Sequence, residues 1–338
     1  MQINRKSKII FCWALFFIIV FLVVFKDQMI LKTHAYFSIR KSLSYIFSQQ
    51  SENGEFKTYA CKNENMDECI LDSTSYNVSM VINSIQNIKI KKSKKNIILK
   101  KGANFLLKSQ EKNGAWHYWT SKVLKGFIIP PDVDDTVNAS YALLKNNIKF
   151  IDNKDLIEKN RDERGLFYTY IREKHTGFDP DIDCVVNISA LLYLQSNDPR
   201  ICSYINESIR SENKCSPYYY PDRLGMYYFL SRAYTNGITC LGDEKNIIIS
   251  SILKKQNKDG SFGNDLQNGL AINALLDMGY SGPEIKKGIS LIIKNQKEDG
   301  SWENESFWMG MQPYQHNGSP VLTTAINSEA LNKYLFKL

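Results

Sequence analysis

The sequence predicts an all-α protein: a single (α/α)6 toroid of six helical hairpins, preceded by one N-terminal transmembrane helix. Three observations carry that prediction. A glycine–aromatic turn recurs along the chain, a matching helix start recurs after each turn, and one unbroken apolar run stands at the N-terminus.

The apolar run comes first. Ile9 to Phe25 reads IIFCWALFFIIVFLVVF, with Arg5, Lys6 and Lys8 before it and Lys26 and Asp27 after it. Such a run, with a basic leading flank and no small-residue cleavage site, reads as an uncleaved single-pass anchor, a cleaved signal sequence being the alternative. Residues 1–8 are then the basic flank, 9–25 the anchor and 36–338 the toroid domain. The flank would stay in the cytoplasm, the bulk domain would be extracytoplasmic, and the membrane is an expected partner.

The repeats follow. QSENGEF (50–56), QEKNGAW (110–116), QNKDGSF (256–262) and QKEDGSW (296–302) share one pattern, and DERGLF (162–167) and SENKCSPYYYP (211–221) are degenerate copies. Each reads as a helix ending in a turn where glycine supplies a left-handed backbone and the aromatic folds back over the helix end. After each turn a second helix begins. DVDDTVNASYALL (132–144) matches DIDCVVNISALLYL (181–194), with Pro131 and Pro180 in register, 49 residues apart. Asn77, Asn138, Asn187, Asn273 and Asn327 align in these second helices, and the fourth unit substitutes RLGMYYFLSRAY. A buried amide needs partners, so this asparagine is expected to bond neighbouring helices or turn backbone.

Composition narrows the function. A chain of 338 residues with 43% apolar content folds, and its net charge of +8 comes from Lys and Arg scattered among acids, without a basic stripe for nucleic acid. The motifs of serine hydrolases, phosphate-loop NTPases and dinucleotide enzymes are missing from the sequence. Apart from Cys12, six cysteines remain: Cys61, Cys69, Cys184, Cys202, Cys215 and Cys240. Cys61–Cys69 and Cys202–Cys215 bracket short segments, so either two local disulfides form in an oxidising compartment or the thiols stay free.

The N-terminal ends of inner helices gather at one mouth of a toroid, and there the acids Asp132, Asp134 and Asp135 fall. The next unit repeats Asp181 and Asp183, with Cys184 in place of the third acid. Two readings stand side by side. Asp is a good helix cap and acids suit a first turn, so the cluster can be structural. Alternatively, a carboxyl kept protonated by its surroundings can serve as a general acid, and Asn138, one turn beyond Asp134, lies on the same face to bond it.

The Q-x-x-x-G-x-W/F turns resemble the QW repeats of squalene-hopene and oxidosqualene cyclases. Asp132-Val133-Asp134-Asp135-Thr136 is similar to the D-x-D-D-T motif of class II terpene cyclases. The resemblance covers essentially all of the chain after the apolar run. It implies the prenyltransferase and squalene-cyclase toroid, with Asp134 the proton donor to an alkene or epoxide and Asp132 and Asp135 tuning it. It implies an isoprenoid as small-molecule partner and an aromatic cavity for carbocations. Candidate substrate-binding residues are Asn138, Asp181, Asp183, Trp119, Tyr170, Tyr220, Trp308 and His316, with Tyr218, Tyr219, Tyr227 and Tyr314 nearby in pattern. Protein prenyltransferase subunits share this toroid and hold zinc through Asp, Cys and His. Here Asp183 and Cys184 are adjacent and only four His exist, so neither a metal nor another cofactor is expected.

Other classes fit the same toroid. A carbohydrate-active enzyme would pair Asp132 or Asp134 with Asp181 or Asp183 across neighbouring helices, and a non-catalytic module would use the mouth only for binding. Whether the chain is an enzyme is thus open, with an isomerase-type cyclase the leading reading. A dry aromatic cavity favours the isoprenoid and an open wet groove the glycan.

Overall fold

The computed structural model describes residues 5–120, 130–172, 182–211, 218–310 and 313–337, with residues 5–25 described by backbone alone. In chain order the elements are α1 (Arg5–Gln49), β1 (Thr58–Cys61), β2 (Ile70–Asp72), α2 (Ser75–Ile85), α3 (Lys92–Ser109), α4 (Val133–Lys145), α5 (Lys154–Glu158) and α6 (Cys184–Leu194). They continue with α7 (Pro199–Arg210), α8 (Arg223–Thr235), α9 (Lys245–Lys254), α10 (Asp265–Asp277), α11 (Pro283–Asn295), β3 (Ser306–Met309), β4 (His316–Gly318) and α12 (Pro320–Lys337).

Six of these helices form a closed inner ring. α2 packs on α4, α4 on α6, α6 on α8, α8 on α10, α10 on α12, and α12 returns to α2. Their residues are buried nearly all round, as in α2 and α10, because each inner helix has neighbours on both sides and an outer helix behind it. The outer helices α3 and α11 bury one face only, so the (α/α)6 toroid follows from the pattern of burial as well as from connectivity.

The repeated turn shows why its residues recur. Gln50 Nε2 donates to Gly54 O at 3.0 Å and to Ile98 O at 3.0 Å, closing its own turn and tying it to the next outer helix. Gln110 does the same with Gly114 O and Ile151 O, and Gln256 with Gly260 O and Glu284 O. Gln296 holds Gly300 O and reaches Ser38 O of α1 at 3.0 Å, which joins the last unit to the first. The turn glycines have positive φ, and at Gly54 (φ 98°) a Cβ would lie 2.1 Å from Lys101 O. Trp116 and Trp302 fold back as expected, each indole donating to a carbonyl of the preceding helix, Leu106 O and Ile292 O.

Four expectations need correction. The chain is not wholly helical: β2-β1-β4-β3 form a four-stranded antiparallel sheet. It pairs the first unit's loop with the last unit's loop, a contact between chain ends that local periodicity does not encode. Second, a single-pass N-terminal anchor is not supported, because no helix among the described residues is long and apolar enough to cross a membrane. The run 9–25 lies in α1, outside the residues whose side chains are described. Third, Cys61 bonds Cys69, but Cys202 bonds Cys240, not Cys215, because α7 packs against the turn at residues 239–242.

The fourth concerns only the alignment of the asparagines, since the expected bonding to turn backbone or a neighbouring helix holds for Asn77, Asn187, Asn273 and Asn327. Asn77 and Asn187 bond the backbone of Phe56 and Phe167 in the turn. The N–H groups of Trp116, Phe262 and Trp302 are instead taken by Thr136, Asn268 and Thr324, so these residues are the structural equivalents. Asn273 bonds Ile326 O and Asn327 bonds Asp265 O, linking α10 to α12, while Asn138 turns to Asp134.

Candidate active site

The acid cluster divides by role. Asp132 is the N-cap of α4, its Oδ1 accepting from Asp135 N at 2.7 Å, and the helix's first N–H, at Val133, is taken by Thr169 O at 2.7 Å. Asp183 caps α6 in the same way, accepting from Val185 N at 2.7 Å and Val186 N at 3.3 Å. Asp134 caps nothing. From the second position of α4 it reaches across the ring, where Oδ2 accepts from the Tyr220 hydroxyl and Oδ1 from Asn138 Nδ2 at 2.8 Å. Asp135 Oδ1 accepts from Ser75 Oγ of α2 at 2.9 Å.

Burial sets the electrostatics. It pushes the Asp134 carboxyl well above the usual carboxylate range, helped by the charges of Asp135 and Asp183 and opposed by the bonds from Tyr220 and Asn138. Asp132 is pushed up by burial and then by Asp135. Asp135 rises to about 6, because burial outweighs its bonds with Asp132 and Ser75. Burial likewise keeps the Tyr76, Tyr118 and Tyr220 hydroxyls protonated, well above their ordinary range. Burial thus favours the protonated form of Asp134, and the two donors on its oxygens stabilise the anion that proton transfer would leave.

Aromatic rings adjoin this carboxyl. The Tyr220 hydroxyl also bonds Tyr76 OH, and Trp308 of β3 meets Tyr76 edge-on at 4.9 Å between centroids. Phe307 lies 5.9 Å and Phe229 5.5 Å from the Tyr220 ring. Trp308 Nε1 donates to Tyr118 OH at 3.0 Å, and Trp119 meets Tyr118 edge-on while donating to Asp72 Oδ2 at 3.1 Å.

Of the predicted residues, the structure brings together Asp132, Asp134, Asp135, Asn138, Tyr220, Trp308 and Trp119 through these contacts. Tyr170 joins through its backbone bridge to Asp132, its hydroxyl accepting from Tyr219 at 3.4 Å. His316 sits on β4 with Nδ1 3.4 Å from Ser306 Oγ, outside the Asp134 network. Asp183 is engaged as a cap, and Cys184 is disulfide-bonded. Asp181 lies outside the described residues. Sequence reasoning missed Tyr76, Ser75, Tyr118, Phe229 and Phe307. Tyr76 had a signal: counted from the caps Thr74 and Asp132, it occupies in α2 the second position that Asp134 occupies in α4.

No family model matches the chain, and no curated protein matches it by sequence. Its fold does have solved counterparts. The chain is similar to the type II terpene cyclase MstE from Scytonema, seen in complex with geranylgeranyl dihydroxybenzoate as substrate, with a TM-score of 0.66 at 13% identity. That match covers 91% of this chain and 99% of the other. ent-Copalyl diphosphate synthase from Streptomyces platensis matches with a TM-score of 0.55 at 12% identity, over 77% of this chain and 50% of that one. A possible GH105 family member from Salmonella enterica matches with 0.51 at 12% identity, over 90% and 94%. What the chain shares with these structures is the α/α-toroid fold.

Proposed function

We propose that this chain is a class II terpene cyclase-like enzyme in which Asp134 protonates an isoprenoid alkene or epoxide and so starts its cyclisation. The observation that carries the proposal is the Asp134 carboxyl: buried, with its pKa pushed up by that burial, bonded on both oxygens by donors, and linked through Tyr220 to an aromatic wall. A proton moves from Asp134 to one alkene carbon, the other carbon becomes a cation, and the remaining double bonds close onto it in turn. Loss of a proton discharges the final cation, so substrate and product are isomers. The Tyr220 and Asn138 bonds strengthen Asp134 as an acid by holding its anion. The rings of Tyr76, Trp308, Phe307 and Phe229 offer negative faces to the cation and exclude water that would quench it. The buried site suits a dry reaction better than glycan hydrolysis, whose second carboxylate must activate a water.

The single toroid that MstE uses with a geranylgeranyl dihydroxybenzoate substrate supports the same substrate class here. The test is incubation of the purified chain with geranylgeranyl dihydroxybenzoate, geranylgeranyl diphosphate or squalene, in H2O and in D2O. The expected product is an isomer of unchanged mass in H2O that carries one non-exchangeable deuterium in D2O, and none forms with Asp134→Asn. Equal product from Asp134→Asn, or no isomer from any of the three substrates, would overturn the assignment.

A further inference from the structure

The opposite end of the toroid holds a polar cavity. It measures about 360 Å³ and opens among the C-terminal halves of α2, α4, α8, α10 and α12. Its lining holds an ion network around two buried carboxylates, Asp277 and Glu329. Arg232 contacts Glu329 at 3.3 Å, Lys333 joins Glu329 at 2.9 Å to Asp277 at 2.6 Å, and Lys337 adds a further contact to Asp277 at 2.5 Å. Tyr228 OH donates to Glu329 at 2.7 Å. Three cations thus meet two carboxylates, leaving one positive charge in excess.

Helix C-termini favour cations, which is reason enough for Lys333 and Lys337 in the last turns of α12. Arg232 stands in the last turn of α8 on the same grounds, but it is more deeply buried than either of them. Its side chain is only 6% exposed, yet its one hydrogen bond among the described residues is the 3.3 Å contact to Glu329, beside the Tyr228 ring at 4.8 Å. The guanidinium has five N–H donors in a planar fork, and Glu329 takes one of them. Tyr141, 4% exposed on α4, lines the same cavity, and its hydroxyl also has no hydrogen-bond partner among the described residues. Tyr141 of α4 and Arg232 of α8, on either side of α6 in the ring, therefore line one cavity with a positive excess.

We propose that this cavity binds a small organic anion, its carboxylate or phosphate taken by the Arg232 fork and the Tyr141 hydroxyl. A planar oxyanion matches the guanidinium with two parallel bonds, and the volume falls within the range of small-molecule sites. The site is separate from Asp134, so its occupancy does not depend on the cyclase assignment.

The experiment is a thermal-shift and calorimetric titration of the full chain with inorganic phosphate, pyrophosphate and succinate, each against sodium chloride at matched ionic strength. Saturable binding of at least one anion is expected, and which one binds separates phosphate from carboxylate recognition. Tyr141→Phe leaves the ion network whole and should weaken binding about tenfold. Arg232→Lys keeps the charge but removes the fork, and should weaken it further, while Asp134→Asn should bind as the native chain does. The proposal is overturned if none of the three anions binds beyond the chloride effect. Unchanged affinity in both Tyr141→Phe and Arg232→Lys, or loss of binding in Asp134→Asn, would equally overturn it.

Discussion

The Tyr220 hydroxyl donates to Asp134 Oδ2 across a separation of 86 residues, from the segment before α8 to the second position of α4. Those helices are not neighbours in the ring, so the bond spans the mouth. It separates Asp134 from the acids beside it, which are engaged as a cap or by Ser75.

Asp134→Asn keeps the size and neutrality of the protonated carboxyl but removes its proton. Turnover should fall about a thousandfold or more, while stability stays within about 1 kcal/mol of the native value. Single-turnover rates with parallel urea melts check both halves. A variant that unfolds would instead assign the carboxyl to the fold.

The pH dependence of the rate has a definite sign. Asp134 must hold its proton, so the rate should fall on the alkaline side as pH passes its raised pKa. The Tyr220 bond favours the anion, so Tyr220→Phe should move that limb to higher pH and slow proton transfer about tenfold. An alkaline limb that stays in place would remove Tyr220 from this role.

Asp135 predicts an opposite-looking effect on stability. Its pKa is about 6 when folded against 3.8 as a free side chain, so the folded state binds more protons between those values. The contribution is fully present below about pH 3.8 and is lost as pH rises through about 6, a change of about 3 kcal/mol. Urea unfolding between pH 4 and 7 should show this decline, and Asp135→Asn should flatten it. Identical slopes for the two proteins would refute the shift.

Gln296 closes the ring by bonding Ser38 O and Gly300 O. Gln296→Ala should cost about 1–3 kcal/mol by leaving half-buried carbonyls unpaired. Hydrogen exchange should quicken at the α1–α11 seam more than at α6, and uniform loosening of the ring would count against a closing role.

The Cys202–Cys240 bond spans 38 residues and links α7 to the turn ahead of α9. Replacing both cysteines by serine, which leaves the other disulfides in place, should lower stability by about 4 kcal/mol on the loop-entropy account. Peptide mapping without reduction checks the pairing directly, and a Cys202–Cys215 peptide would contradict it.

Much of the fold was legible because its signals are local. A glycine that must adopt positive φ, an aromatic that covers a helix end and a residue that starts the next helix all lie within a few positions of each other, and they repeat. Asp134 and Asn138 were legible for the same reason, being one turn apart on one helix. The asparagine alignment failed because Thr136 and Asn268 meet the same hydrogen-bond need from a shifted position, and sequence likeness does not register equivalent geometry. Only the tertiary structure decided the rest. Closing the ring sets Tyr76, Tyr220 and Trp308 around Asp134, pairs β1 with β4, and buries the carboxyl so that its pKa rises. Those properties depend on what surrounds a group in space, and the surroundings of Asp134 come from four separate stretches of chain.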